Sequence, residues 1–247
     1  MKRLLLPMLL VGLAAGLAAC QDTSDADDPA PTTAAADGEW IVLFDGTSLD
    51  HWRGFHREDV PGKWQIDQDA IFFNPDADGD GGDIITKETF KNFDLQFEWK
   101  IGECGNSGVF YHVAERDEFS RTYETGPEYQ ILDNTCHPDA QNGPDRYAAA
   151  NYALHPPAYV ENEALAGTKP AGEWNTARIV VNNGHVEHYL NGDKVVEYDL
   201  GSEAWKALVA ASKFNSMPGY GIQGEGHIAL QDHGDPVWYR NIRIKRL

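Results

Sequence analysis

The chain has 247 residues, with 39 acidic against 20 basic side chains and a formal net charge of −19. So acidic a surface repels phosphate backbones and excludes nucleic acid as a natural partner. A hydrophobic fraction of 42% and an aromatic fraction of 11% are enough for one substantial core, and β-sandwiches of this length commonly form one domain.

Residues 1–19 combine a short basic start with an apolar run. That run is shorter than a membrane-spanning helix requires and ends in small residues. The ending Leu17-Ala-Ala-Cys20 resembles a bacterial lipobox, which implies cleavage before Cys20 and lipidation of its sulfur. An ordinary secretory signal is the alternative. Gln21, rather than Asp, follows the cysteine, which by analogy with enterobacterial sorting points to the outer membrane. Residues 20–38 are rich in Asp, Ala, Thr and Pro and have no apolar periodicity. They read as an acidic, disordered tether from the lipid to a folded domain over 39–247.

The folded region begins with short apolar runs at 40–44, 64–66 and 70–73. An Asp- and Gly-rich loop follows over 76–83, and its Asp78, Asp80 and Asp83 invite a calcium reading. That segment lacks the terminal Glu of an EF-hand loop, so a solvated turn is the simpler reading. A strand starts at 84–86. In 93–101, Phe93, Leu95, Phe97, Trp99 and Ile101 alternate with Asp94, Gln96, Glu98 and Lys100, which predicts a half-buried strand. A turn at 105–108 and a strand over 109–113 read together with it as a long hairpin.

The segment 128–132 is the strand around which the remainder can be organised. Glu128 and Gln130 share one face, and Tyr129 and Ile131 the other, since side chains alternate along a strand. Cys104 and Cys136 flank it. In an oxidising compartment they are expected to form a disulfide; a catalytic thiol is the alternative.

From 136 to 172 the pattern breaks into a long loop punctuated by proline and carrying Tyr147, Tyr152 and Tyr159. Loops of this length are usually functional, so it reads as a lid or wall over a site. Two Asn-Gly turns, at 183–184 and 191–192, connect strands at 178–182, 186–190 and 194–198. One short helix is predicted over 202–214, started by Ser202. Segments 226–234 and 237–245 read as a closing strand pair. Many short strands, tight turns and a single helix predict an all-β sandwich.

Several motifs occur in order across 39–247: Leu43-Phe-Asp-Gly-Thr-Ser-Leu-Asp-His-Trp52-Arg53, Asn106-Ser-Gly-Val-Phe110, Glu128-Tyr-Gln-Ile-Leu-Asp133, Lys169-Pro-Ala-Gly-Glu-Trp-Asn175, His188-Tyr-Leu-Asn-Gly192, Gly226-His-Ile-Ala-Leu-Gln-Asp-His-Gly234 and Tyr239-Arg-Asn-Ile-Arg243. Together they resemble the 3-keto-disaccharide hydrolase domain family. The resemblance implies a concanavalin A-like jelly-roll β-sandwich with a long loop over its concave face. It also implies cleavage of glycosides already oxidised at the sugar C3, and export as a lipoprotein. A separate sugar 3-dehydrogenase would have to supply the keto group, because this chain has no Gly-rich dinucleotide fingerprint between a strand and a helix.

A C3 ketone acidifies the C2 proton. One base, one acid and donors around the C3 oxygen then suffice for elimination at C1 and addition of water. Glu128 is the leading acid or base. His112 and His233 are candidates for proton transfer, and Asp133 for orienting a base. Gln130, Glu98, Asn106, Gln231, His227 and Trp174 are candidates for binding the sugar. No cofactor is required, although Asp133 with His137 could hold a divalent cation such as calcium. Competing functions are a noncatalytic lectin-like lipoprotein and an ordinary retaining glucanase. The last is disfavoured because the central strand offers Glu128 and Gln130 rather than two carboxylates.

Overall fold

The computed structural model describes residues 38–247. The leader over 1–19, Cys20 and nearly all of the tether therefore lie outside the described residues. Thirteen strands follow in chain order. They are β1 (Trp40–Phe44), β2 (Trp52–Gly54), β3 (Trp64–Asp67), β4 (Ala70–Phe73), β5 (Ile84–Thr86), β6 (Phe93–Ile101), β7 (Asn106–Val113) and β8 (Glu128–Leu132). After the long loop come β9 (Asn175–Asn182), β10 (His185–Leu190), β11 (Asp193–Asp199), the helix α1 (Glu203–Ala211), β12 (His227–Leu230) and β13 (Val237–Arg246).

The strands form two antiparallel sheets. The larger has the order β11-β10-β9-β6-β13-β4-β3, with β1 also paired to β13; the smaller has the order β2-β5-β12-β7-β8. The fold is thus the expected jelly-roll-like sandwich with one short helix.

β6 lies inside the larger sheet because its apolar face is continuous. Phe93, Leu95, Phe97, Trp99 and Ile101 are all buried in the core shared by the two sheets. Tyr129 and Ile131 of β8 and Val109 and Tyr111 of β7 meet them from the other side. A core of this kind forms because apolar surface leaves water at both inner faces at once.

Two expected strand pairs do not form. β6 pairs with β13 and β9, whereas β7 pairs with β8 and β12. The turn between β6 and β7 is therefore an arch from one sheet to the other, and the same holds for the link from β12 to β13. An alternating pattern tells which face of a strand is buried. It does not tell whether the next strand lies beside it or across the core from it. By contrast, both Asn-Gly turns close hairpins as expected. Asn183, Gly184, Asn191 and Gly192 all have positive φ, the twist that two-residue hairpins need.

α1 ends at Ala211, earlier than expected. Ser212 stops it by accepting a hydrogen bond from Phe214 N at 3.1 Å, which starts a separate 3-10 turn over Lys213–Ser216. Ser202 caps the helix start by accepting from Trp205 N at 3.1 Å. The rings of His155, Tyr198, Trp205, Tyr220 and Phe214 lie nearly parallel in one column, with neighbouring planes within 9°. This stack fixes α1 and the turn at Lys213 against the sandwich.

Candidate active site

The outer face of the smaller sheet carries a cavity of about 340 Å³, within the range of small-molecule sites. Glu128 and Gln130 of β8 line its floor, and Asn106, Gln231 and His233 line it from β7 and the segment after β12. Tyr123, Tyr152, Lys213, Phe214 and Met217 supply the remaining lining.

Glu128 can lie flat over β7 because residue 108 is glycine. A Cβ at Gly108 would sit 2.3 Å from Glu128 Oε1. The Glu128 side chain is buried, and loss of solvation pushes its carboxyl up to about 8; neighbouring Lys213 opposes that shift. A carboxylic acid that keeps its proton near neutrality is suited to proton transfer. Beside it, Gln130 Oε1 accepts a hydrogen bond from Ile131 N at 3.0 Å. That bond assigns the amide orientation and leaves its NH₂ as the group a ligand can use.

The long loop completes the wall by lengthening the sheet. Gln130 N donates to Ala150 O, Ala149 N to Gln130 O, and Tyr152 N to Glu128 O, at 3.1, 2.8 and 3.1 Å. Residues 149–152 thus cover the free edge of β8, which would otherwise expose unpaired backbone groups. Tyr152 is brought beside Glu128 by this pairing. Its hydroxyl donates to Asp139 Oδ2 at 2.8 Å and accepts from Arg146 Nη1 at 3.0 Å. A buried relay anchors the same segment from beneath: His188 Nδ1 donates to Ala149 O, while its Nε2 accepts from Tyr111 OH. Burial depresses the His188 imidazole to about 3, so it stays neutral in this role.

Two polar atoms of the cavity lining are buried without a protein partner: Asn106 Oδ1 and Gln231 Oε1. Buried acceptors are rarely left unpaired, so a hydroxyl-bearing ligand is the natural complement. His233 Nε2 lies 3.3 Å from Asn106 Nδ2, at the same wall.

Of the residues singled out in the sequence, Glu128, Gln130, Asn106, Gln231 and His233 converge here. The others lie elsewhere. His112 sits at a bulge with φ 54° and turns inward, where its Nε2 bonds Lys91 O at 2.8 Å and its ring meets Phe93 edge-on. His227 pairs with Val113 at the far end of β7, and its Nδ1 donates to Thr86 O at 2.7 Å. Asp133 is occupied with the loop: it accepts from Thr135 N, Thr135 Oγ1 and Cys104 N. These bonds hold its carboxylate below the ordinary range, against the opposing effect of burial.

Glu98 and Trp174 belong to the opposite face of the sandwich. A second groove there, of about 730 Å³, is lined by Glu98, Arg178 and Asn241 among others. Two of its charges are already matched: Arg240 Nε and Asn241 Nδ2 bond the two oxygens of Glu98, and Arg178 forks onto Asp94. The Arg240 guanidinium lies 4.0 Å over the Trp174 ring, which occupies that aromatic face.

Cys104 and Cys136 are bonded to each other, tying the β6–β7 arch to the loop after β8. His137, His233 and Asp235 each offer one ligand atom within 4.8 Å of the others, so these three could hold a metal. His137 Nδ1 already accepts a hydrogen bond from Asp139 N at 3.1 Å. A neutral ring accepting there carries its proton on Nε2, which weakens it as a ligand. The Asp-rich loop does not gather around one point. Asp83 is turned inward, bonding Thr122 and Asp232 N, while Asp80 faces Arg57.

Lys213 and Tyr152 line the cavity, a place that the sequence did not announce. Lys213 lies in the last turn of the predicted helix, with no motif around it. Tyr152 stood among several loop tyrosines. Only the pairing of 149–152 with β8 singles it out.

Comparison with known proteins establishes the family and the fold. A family model described as a 3-keto-alpha-glucoside-1,2-lyase-like domain matches residues 39–245. A 3-keto-disaccharide hydrolase from Bacteroides thetaiotaomicron is 43% identical over 237 residues, covering 86% of this chain and 79% of that protein. Two crystal structures of proteins assigned to the glycosyl hydrolases, both from Parabacteroides distasonis, share the fold. One has 36% identity and a TM-score of 0.74 over 84% of this chain and 94% of its own. The other has 27% identity and a TM-score of 0.62 over 85% and 100%. The chain belongs to the 3-keto-α-glucoside-1,2-lyase-like domain family.

Proposed function

We propose that this protein is a glycoside-cleaving enzyme acting on 3-keto-disaccharides and related 3-keto-glycosides, by elimination followed by addition of water. The observation that carries this reading is Glu128: one carboxyl, buried at the floor of a cavity, ionising near 8 and surrounded by amide, imidazole and amine groups. A carboxylate of that basicity is matched to a proton made acidic by a neighbouring ketone. Glu128 takes the C2 proton, and the electron pair passes to the ketone. As the pair returns, the C1–O bond breaks, and His233 protonates the departing oxygen. Water then adds at C1 as Glu128 returns a proton to C2. Lys213 and the Gln130 amide face the ketone end and draw electron density toward it.

An ordinary glycosidase needs a second free carboxylate across the bond. Glu128 is the one carboxylate lining the cavity among the described residues. Nearby Asp139 is engaged by Tyr152, Arg146 and Asn142. The test is to incubate the purified protein with 3-keto-trehalose and, separately, with trehalose. Sugar release is expected from the oxidised compound alone. Tight binding of trehalose with no release from either compound would favour a lectin-like module.

We also infer that the protein is anchored through lipid on Cys20 in the cell envelope, facing an oxidising space. The lipobox-like Leu17-Ala-Ala-Cys20 and the bonded pair Cys104–Cys136 support this. A separate sugar 3-dehydrogenase would supply the substrate. Cys20→Ser should release the protein from the membrane fraction; unchanged membrane retention would refute the anchor.

A further inference from the structure

Lys213 is set apart by its place rather than by its lack of a carboxylate partner. Other lysines make surface ion pairs, as Lys194 does with Glu187 and Glu197. Lys213 lines the cavity, yet among the described residues its Nζ forms no ion pair. The amine instead lies 4.1 Å from the centre of the Tyr152 ring and 5.2 Å from that of Phe214. Its backbone is held by the Ser212 cap and by the ring column that ends at Phe214. Desolvation holds its ammonium below the usual lysine range, while the nearby Glu128 carboxyl works in the opposite direction. The side chain is nevertheless open to solvent, so a ligand can reach it. An unpaired amine on a hydrophobic ring beside a buried carboxylic acid matches the environment of imine-forming lysines.

We propose that Lys213 is a catalytic nucleophile whose ε-amine condenses with the C3 ketone of the substrate to form an iminium. The inference rests on the 3-keto substrate class proposed above. The neutral amine adds to C3, and Glu128 donates its proton as the C3 oxygen leaves as water. Glu128, now a carboxylate, removes the C2 proton, and the electron pair moves onto nitrogen to give an enamine. The enamine expels the C1 oxygen, which His233 protonates, leaving an iminium conjugated to a C1–C2 double bond. Water adds at C1 and passes a proton to His233, while C2 regains a proton from Glu128. A second water hydrolyses the iminium, returning a proton to Glu128, and frees Lys213. One water is released and two are consumed, so the net reaction is hydrolysis. An iminium is a stronger electron sink than a ketone, which explains why one carboxylate can serve where no second carboxylate lines the cavity among the described residues.

The test is reductive trapping. The full protein is incubated with 3-keto-trehalose and sodium cyanoborohydride, and tryptic peptides are read by mass spectrometry. A mass gain of one keto-sugar less one oxygen is expected on Lys213, accompanied by progressive loss of turnover. Lys213→Arg keeps the positive charge but cannot form the imine. It should fold with an unchanged melting temperature, take up no label and lose at least a thousandfold in kcat. Sugar release by the wild type without an adduct, or Lys213→Arg retaining a tenth or more of kcat, overturns the nucleophile and leaves the substrate class standing. An adduct without release supports the nucleophile and overturns cleavage. Neither adduct nor release overturns both.

Discussion

Gly108→Ala is the sharpest perturbation of the site that leaves every polar group in place. The added methyl carbon would sit 2.3 Å from Glu128 Oε1 and 2.9 Å from Cγ and Cδ, whereas ordinary contact begins near 3.4 Å. The carboxyl must therefore retreat by about 1 Å, and a displacement of that size costs on the order of a hundredfold in rate. That corresponds to about 2.7 kcal/mol of transition-state stabilisation. The effect on folding is much smaller. Gly108 does not have positive φ, and alanine there reduces the entropy of the unfolded chain by up to about 1 kcal/mol. Crowding of the Glu128 side chain opposes this by roughly 1–3 kcal/mol. The melting temperature should fall by no more than several degrees. The assay is kcat/KM on a 3-keto-disaccharide beside a thermal melt. A variant that melts like the wild type and keeps more than a third of its kcat/KM would refute the assignment of Glu128 as the proton-transfer group.

The other predictions bear on charge, crosslink and cavity. Glu128 has its folded-state ionisation raised from 4.5 to about 8, so the native state holds a proton that the unfolded chain releases between those values. That contribution is fully present below pH 4.5 and is lost as pH rises through 8. Glu128→Gln should abolish turnover and also remove the decline in melting temperature between pH 5 and 8. A variant with the wild-type slope would contradict the buried-acid assignment. Where Glu128 takes the C2 proton directly from the ketone, catalysis by the wild type should rise with pH toward 8 as Glu128 ionises, a limb read from a kcat/KM profile; a flat profile from pH 6 to 8 would count against direct abstraction from the ketone. Replacing Cys104 and Cys136 together with serine opens a crosslink spanning a sequence separation of 32. It should destabilise the fold by about 4 kcal/mol by the loop-entropy argument, measurable by denaturant titration; a loss below about 1 kcal/mol would show that Asp133 alone holds the arch. Trp174→Ala, on the opposite sheet, should leave kcat/KM within twofold. A tenfold loss there would move the site to the larger groove.

Strand existence and facing were legible because period-two alternation is a local property. Phe93 to Ile101 and Glu128 to Leu132 bury the sides that the alternation assigns. Pairing was less legible. The β6–β7 and β12–β13 links look like hairpins along the chain, yet each crosses the core. The choice depends on what packs opposite, which no short window contains. For the site, residues on the central strand and its neighbours were within reach: Glu128, Gln130, Asn106, Gln231 and His233 share one cavity. His112 was misplaced because a bulge with positive φ breaks the alternation that assigned its face. Lys213 and Tyr152 were missed for a different reason. Both come from segments after β8 and are set in place by long-range contacts: the ring column in one case, the added edge of β8 in the other.

The central claim is removal of the C2 proton, and deuterium reports on it directly. Turnover of a 3-keto-disaccharide in D₂O, stopped early and read by NMR before spontaneous exchange of the free keto-sugar, should place one deuterium at C2 of the released 3-keto-sugar. Release with the original hydrogen retained at C2, together with no primary isotope effect when the substrate carries deuterium at C2, would contradict elimination and point to direct displacement at C1.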